Sequence, residues 1–198
     1  MFKINLFDVS PDKLSDKDII IKVHWWNHLL YANLYEKYKG KIYNYTVNLL
    51  AWNRDDADIV ITDIFTKLRE YIKDGKCNGV ENVNAYIYRL AHNTAINFIK
   101  WKWSWTYQNI EDREWILTTN ENPSDHTDNI YKNEQLERFM NMLDPNSKSV
   151  VYMTYFEEKN YDEIAQIIWS NKNTVWTILS RAKKKLKEMM ENGKIKDI

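Results

Sequence analysis

Apolar residues three and four positions apart dominate this chain, and that spacing restricts it to helices. In HLLYANLYEKYKGKIYNYTVNLLA, Leu30, Leu34, Tyr38, Ile42, Tyr45 and Leu49 fall on one helical face. From Asp55 the pattern resumes through Ile59, Ile61, Ile64, Phe65 and Leu68 and ends near Tyr71. A third helix is expected from about Asn84 to Lys100, carrying Ala85, Tyr88, Leu90, Ala91, Ala95, Phe98 and Ile99. No segment sustains a period of two, so no strand is expected and the fold class is all-α.

The pattern breaks at 109–130, a polar stretch containing NENPSDHTDN, and resumes at Tyr131. This reads as a flexible acidic linker between two small helical domains. The expected organisation is an N-terminal extension at 1–24, a first domain at 25–108, the linker at 109–130 and a second domain at 131–198. Within the second domain, Asp144-Pro145 stops one helix and starts another, with proline in the first turn. Helices are expected near 145–157, 161–168 and 172–192.

Formal net charge is zero, with 28 basic and 28 acidic residues, so total charge does not point to nucleic acid. Its distribution does. Residues 85–110 hold Arg89, Lys100 and Lys102 and no acid, whereas 111–128 hold Glu111, Asp112, Glu114, Glu121, Asp125 and Asp128. A dense Lys/Arg run closes the chain. Charge sorted into blocks implies surfaces with different partners. The single cysteine, Cys77, rules out an intrachain disulfide and is expected as a free exposed thiol. No apolar run reaches membrane-spanning length and the first residues lack a signal-peptide pattern, so a cytoplasmic location without membrane contact is expected.

The stretch YDEIAQIIWSNKNTVWTILSRAKKKLKEMM is the most informative. A short helix turns Ile164, Ala165 and Ile168 inward, and Ala165 is small where two helices must cross. A three-residue connection leads to a helix with Val175, Ile178, Leu179 and Ala182 on one face. The other face carries Lys172, Asn173, Thr177, Arg181 and Lys184. That is the layout of a helix-turn-helix whose second helix enters the major groove. From spacing alone, a helical hairpin with a solvated lysine face remains the alternative.

This stretch resembles region 4 of the extracytoplasmic-function (ECF) sigma factors of the sigma-70 family, and LDPNSKSVVYMTYFEEKNYDEIA resembles the run leading into it. NRDDADIVITDIFTKL resembles region 2.2, and NAYIYRLAHNTAINFIK resembles regions 2.3–2.4. The likeness covers about residues 27–190. It implies a dissociable subunit rather than an enzyme, with no catalytic residue, cofactor or metal. The implied partners are RNA polymerase core enzyme, double-stranded promoter DNA and the melted −10 strand; an anti-sigma factor is a further partner the family admits. The −35 element would be read by Asn171, Lys172, Asn173, Thr174, Thr177, Arg181 and Lys184. The −10 element would be held by Asn82, Asn84, Arg89, Asn93, Asn97 and Lys100, with the loop 74–83. Polymerase would meet Asp58, Thr62, Asp63 and Phe65. Ile59 and Thr62 depart from the acid and glutamine common there, so that contact is assigned by helix. Tyr86 and Tyr88 could stack on an extruded base but, at helical spacing, read better as packing residues.

Two rival readings stand beside this one. A helix-turn-helix regulator could act without polymerase, and KWKWSWTY at 100–107 interleaves lysines and aromatics as single-strand-binding platforms do. His24 and His28 stand four apart, but no further ligand follows at a recognisable spacing, so no metal site is expected. The tryptophans raise a separate question. Trp169 falls in the tight helix connection, where glycine is the usual residue. Trp52, Trp176, the pair Trp25-Trp26, and Trp101, Trp103 and Trp105 also stand where glycine reads naturally, the last five in expected loops. The chain has 4 Gly and 9 Trp, together close to the roughly 14 glycines typical of this length. The expectation is that UGA codons encoding glycine have been rendered as tryptophan, leaving these residues exposed in turns and loops.

Overall fold

A computed structural model describes residues 14–24, 28–108 and 138–194. The helices are α1 (Asp16–His24), α2 (His28–Leu49), α3 (Arg54–Lys73), α4 (Val83–Gln108), α5 (Pro145–Tyr155), α6 (Tyr161–Ile167) and α7 (Lys172–Lys194). All regular structure among the described residues is helical, as the periodicity requires. The acidic segment 109–130 lies outside the described residues.

Asparagine and aspartate side chains set the helix starts. Asn53 Oδ1 accepts the Asp56 amide at 2.9 Å ahead of α3, and Asn82 Oδ1 accepts the Ala85 amide at 2.9 Å ahead of α4. Asp144 accepts the Asn146 and Ser147 amides ahead of α5, with Pro145 in the first turn. Asn160 and Glu163 close a reciprocal capping box on α6. Each such cap satisfies amides that have no intrahelical partner, and is worth about 1 kcal/mol.

Helices α2, α3 and α4 pack on one another, and α1 lies across α2 and α3. Leu34, Ile42, Ile64, Leu68, Ile72 and Ile87 are fully buried between them. Each contributes roughly 1.5–3 kcal/mol by leaving water. Ile19 and Ile20 of α1, within the expected N-terminal extension, join this core. In the second bundle α7 packs on α5 and α6 through Val150, Met153, Ile164, Val175, Leu179 and Ala182. The two bundles also touch: α4 meets α6, and α2 meets α5.

Several sequence expectations change. Cys77 is buried, at 2% exposure, and burial pushes its thiol above the usual range, against a smaller opposing effect of Tyr86. It is free, but not an exposed thiol. Helix α4 runs to Gln108, so Trp101, Trp103 and Trp105 lie on a helix and not in a loop. His24 ends one helix and His28 begins the next, so the two do not share a helical face. Trp25 and Trp26 lie outside the described residues.

Helix ends explain two tryptophans. The Ser170 amide donates to the Ala165 carbonyl at 2.9 Å, a Schellman closure that puts Trp169 at φ 54°. At the end of α2 the Trp52 amide donates to the Val47 carbonyl at 2.8 Å, with Ala51 at φ 57° and Trp52 at φ 66°. At the end of α3 the Lys76 amide closes the same loop onto Tyr71 at 2.9 Å, and there the left-handed position is Gly75, φ 72°. Trp52, Trp101, Trp103, Trp105, Trp169 and Trp176 are all exposed.

Candidate nucleic-acid interface

The second bundle positions a polar helix face. Asn171 Oδ1 accepts the Thr174 amide at 2.8 Å and the Thr174 hydroxyl at 3.1 Å, so Asn171 starts α7 and Thr174 is tied to that cap. Val175, Leu179 and Ala182 bury one side of α7 against α5 and α6. Lys172, Asn173, Arg181 and Lys184 are exposed on the rest, with Thr177 half-buried among them. The Thr177 hydroxyl donates to the Asn173 carbonyl at 2.8 Å, and Lys172 pairs with Asp162 of α6 at 2.8 Å. Both ions of that pair are exposed, so it is worth little and can exchange for a phosphate. Trp176 also projects from this face, one turn beyond Lys172.

The first bundle offers a second polar surface on α4. Arg89, Asn93, Asn97 and Lys100 follow at three- and four-residue steps along one side, and Asn93, Asn97 and Lys100 are exposed. Asn84 is exposed too, but stands about two and a half turns before Asn93 and so on the opposite side. Asn82 serves as the cap of α4 and its amide reaches Gln166 Oε1 at 3.5 Å. The Arg89 guanidinium donates to the Gln166 carbonyl at 2.9 Å and sits 4.3 Å over the Trp169 ring. Two of the expected −10 residues therefore face the second bundle.

Tyr88 is fully buried, and its hydroxyl donates to Glu157 at 2.7 Å, so it packs as periodicity suggested. Burial and Glu157 both hold the phenol neutral. Tyr86 is half-buried beside Cys77.

Helix α3 shows a third surface. Asp58 and Thr62 are exposed one turn apart, the Thr62 hydroxyl donating to the Asp58 carbonyl at 2.8 Å. Asp63 pairs with Lys67 at 2.6 Å. Ile59 stands between them at 59% exposure, an apolar residue left in water. Phe65 does not join this face: it is 6% exposed and meets the Tyr35 ring edge-on at 4.7 Å. Apolar periodicity puts Phe65 in the core and the family resemblance puts it on the polymerase surface; its burial agrees with the core.

Sequence reasoning missed a buried polar cluster between the bundles. Tyr45 Oη lies 2.7 Å from Ser149 Oγ and 3.0 Å from His92 Nδ1, and Ser149 Oγ lies 3.2 Å from that nitrogen. Tyr45, His92 and Ser149 come from α2, α4 and α5. The only available signal was a histidine and a serine at positions that periodicity assigns to buried faces.

Residues 133–186 match the family model described as sigma-70, region 4. The chain is 26% identical over 163 residues to the RNA polymerase sigma factor YlaC of Bacillus subtilis (strain 168), covering 82% of this chain and 92% of that protein. It is 27% identical over 132 residues to the RNA polymerase sigma factor SigV of the same organism, covering 67% and 74%. In fold it is similar to CnrH, solved in complex with the cytosolic domain of CnrY: TM-score 0.65, 14% identity, 89% of this chain and 97% of that one. It is similar also to the sigma factor RpoE of Bartonella quintana, solved with the anti-sigma factor NepR: TM-score 0.61, 15% identity, 81% and 96%. The chain thus carries a sigma-70 region 4 match at 133–186, is similar across both bundles to proteins named RNA polymerase sigma factors, and shares the fold of CnrH and RpoE.

Proposed function

We propose that this protein is an RNA polymerase sigma factor that directs core enzyme to specific promoters. The observation that carries this reading is the pairing of two polar helix faces on two bundles joined in one chain, with homology running through both. One basic helix alone would suit any repressor. In the mechanism, α7 enters the major groove of the −35 element. Lys172, Asn173 and Thr177 stand at its leading end, where base edges are reached, and Arg181 and Lys184 meet phosphates farther along. Asn171 holds the start of the helix in register. On α4, Asn93, Asn97 and Lys100 offer amides and a cation to the melted −10 strand, joined by Arg89 once it leaves Gln166. Separating base pairs costs stacking, and capture of an extruded base offsets that cost. Asp58, Thr62 and Asp63, with the exposed Ile59, form the surface for core polymerase.

Run-off transcription with core polymerase and genomic fragments tests the reading. Discrete transcripts that require the added chain support it. A chain that binds an operator tightly and alters transcription only by holoenzyme already carrying another sigma factor is instead a regulator.

A further inference from the structure

We propose that the free chain rests in a closed state in which the helix-turn-helix covers part of the −10 surface, latched by the buried cluster of Tyr45, His92 and Ser149. Two sets of contacts lead there. At the edge, Arg89 and Asn82 are both spent on Gln166, near the end of α6 and beside the turn of the DNA-reading motif. These side chains cannot hold the turn and a DNA strand together. At the centre, Tyr45, His92 and Ser149 place three polar atoms within 3.2 Å of one another, all at buried positions contributed by both bundles. Parting the bundles breaks both bonds to Ser149 and leaves the buried Tyr45–His92 pair of the first bundle without it. Tyr88 bonded to Glu157, with Lys159 4.0 Å over its ring, adds a further pair across the same seam. An unmade buried hydrogen bond is costly, so the cluster favours the shut arrangement until a partner or solvent replaces its members.

The latch reads out independently of DNA. Spin labels on exposed cysteines replacing Lys39 and Lys183 report the distance between bundles in the full chain, Cys77 being buried. A single short distance is expected, and Tyr45→Phe with Ser149→Ala should raise the long-distance fraction roughly tenfold. Should that pair disturb folding, Asn82→Cys with Gln166→Cys offers a second route. Their side chains are 3.5 Å apart, so oxidation should lock the chain shut and reduction release it. The locked chain should lose −10 strand binding in the presence of core polymerase and regain it with reductant. A broad distance distribution in the unaltered chain, or equal strand binding by locked and released chains, overturns the latch. The strand-binding arm rests on the sigma-factor reading. Failure of both forms to bind a promoter overturns that reading instead, while the distance measurement still judges the latch.

A separate observation carries a second proposal: the tryptophans of this sequence occupy glycine positions, and the codons behind them are UGA read as glycine in the source. The chain makes its own comparison. The same helix-ending loop closes onto Tyr71 with Gly75 and onto Ala165 with Trp169, both in left-handed backbone. Trp52 is left-handed as well, one position beyond Ala51, which stands where Gly75 and Trp169 stand in their loops. Large aromatic residues are normally drawn into cores, yet all six described tryptophans stand in water. Trp176 stands on the face that must approach DNA. Trp101, Trp103 and Trp105 follow at alternate positions on the exposed end of α4, without the three- and four-residue spacing that a buried helical face requires. Peptide mass spectrometry on protein from the source organism, read beside the codons, decides this. Glycine masses at UGA positions are expected. Tryptophan masses at Trp52 and Trp169, or UGG codons, overturn it.

Discussion

Glycine at position 169 should give a more stable protein than either tryptophan or alanine. At φ 54° any residue with a Cβ carries the left-handed penalty, about 1–2 kcal/mol. Burial returns little, since Trp169 is 78% exposed. Its one clear contact is the stacked Arg89 guanidinium, worth about 0.5–1 kcal/mol at an exposed site. The Trp169→Gly change should therefore stabilise by about 0.5 kcal/mol or somewhat more. Alanine loses the stacking and keeps the strain, so it should fall below glycine by about 1 kcal/mol even after glycine's larger unfolded-state entropy is counted. In a chain of this size that is about 2–4 °C in Tm. At Trp176, inside α7, the order should reverse: alanine above glycine by about 1 kcal/mol through helix propensity. Urea and thermal unfolding of the four variants measure both pairs. Trp169→Ala matching or exceeding Trp169→Gly would refute the claim that the turn requires left-handed backbone.

Three other outcomes follow from particular side chains. Burial lowers the His92 pKa to about 4, against a weaker opposing bond from Asn146; Tyr45 of α2 and Ser149 of α5 also bond to it, and Tyr88 and Tyr152 meet the Tyr45 ring edge-on. The closed state holds His92 neutral, so its advantage is complete above pH 6.5 and declines as pH falls toward 4, by about 1.4 kcal/mol per pH unit at most. The interbundle distance distribution should broaden over that window, and a pH-independent distribution in the unaltered chain would contradict this. Lys148 is buried, donates to Asn141 Oδ1 at 2.8 Å, and burial lowers its pKa to about 8. Lys148→Met should stabilise at pH 7 by about 1–2 kcal/mol. The gain should shrink as pH rises from about 8 toward 10.5, where unfolded lysine also becomes neutral; urea melts at pH 7 and pH 10 check it. Finally, Arg181→Ala or Lys184→Ala should weaken promoter binding by holoenzyme. A lost phosphate contact lowers the salt slope by about one, and a lost base contact costs roughly 1–3 kcal/mol and relaxes preference at one position. Unchanged binding by both variants would place DNA on another face.

Helix positions were readable because burial on one face and capping at the ends are local. Leu34, Ile42, Ile64 and Leu68 sit in the core where spacing put them, and Asp144-Pro145 opens α5. The polar face of α7 was readable for the same reason. What stayed hidden depends on contacts between distant segments. Phe65 has the same pattern whether it faces Tyr35 or solvent, and only the position of α2 decides. Cys77 lies in a polar stretch, but the loop folds inward over it. The meeting of Tyr45, His92 and Ser149 spans 104 residues and leaves no local mark. The end of α4 was misplaced because KWKWSW carries no apolar period, although the helix continues through it.

The central claim is tested most directly by promoter binding with and without core polymerase. Fluorescence anisotropy on a labelled promoter fragment should show weak, salt-sensitive binding by the isolated chain and tight, sequence-dependent binding once core enzyme is added. Nanomolar, sequence-specific binding by the isolated chain, unaffected by polymerase, would contradict it.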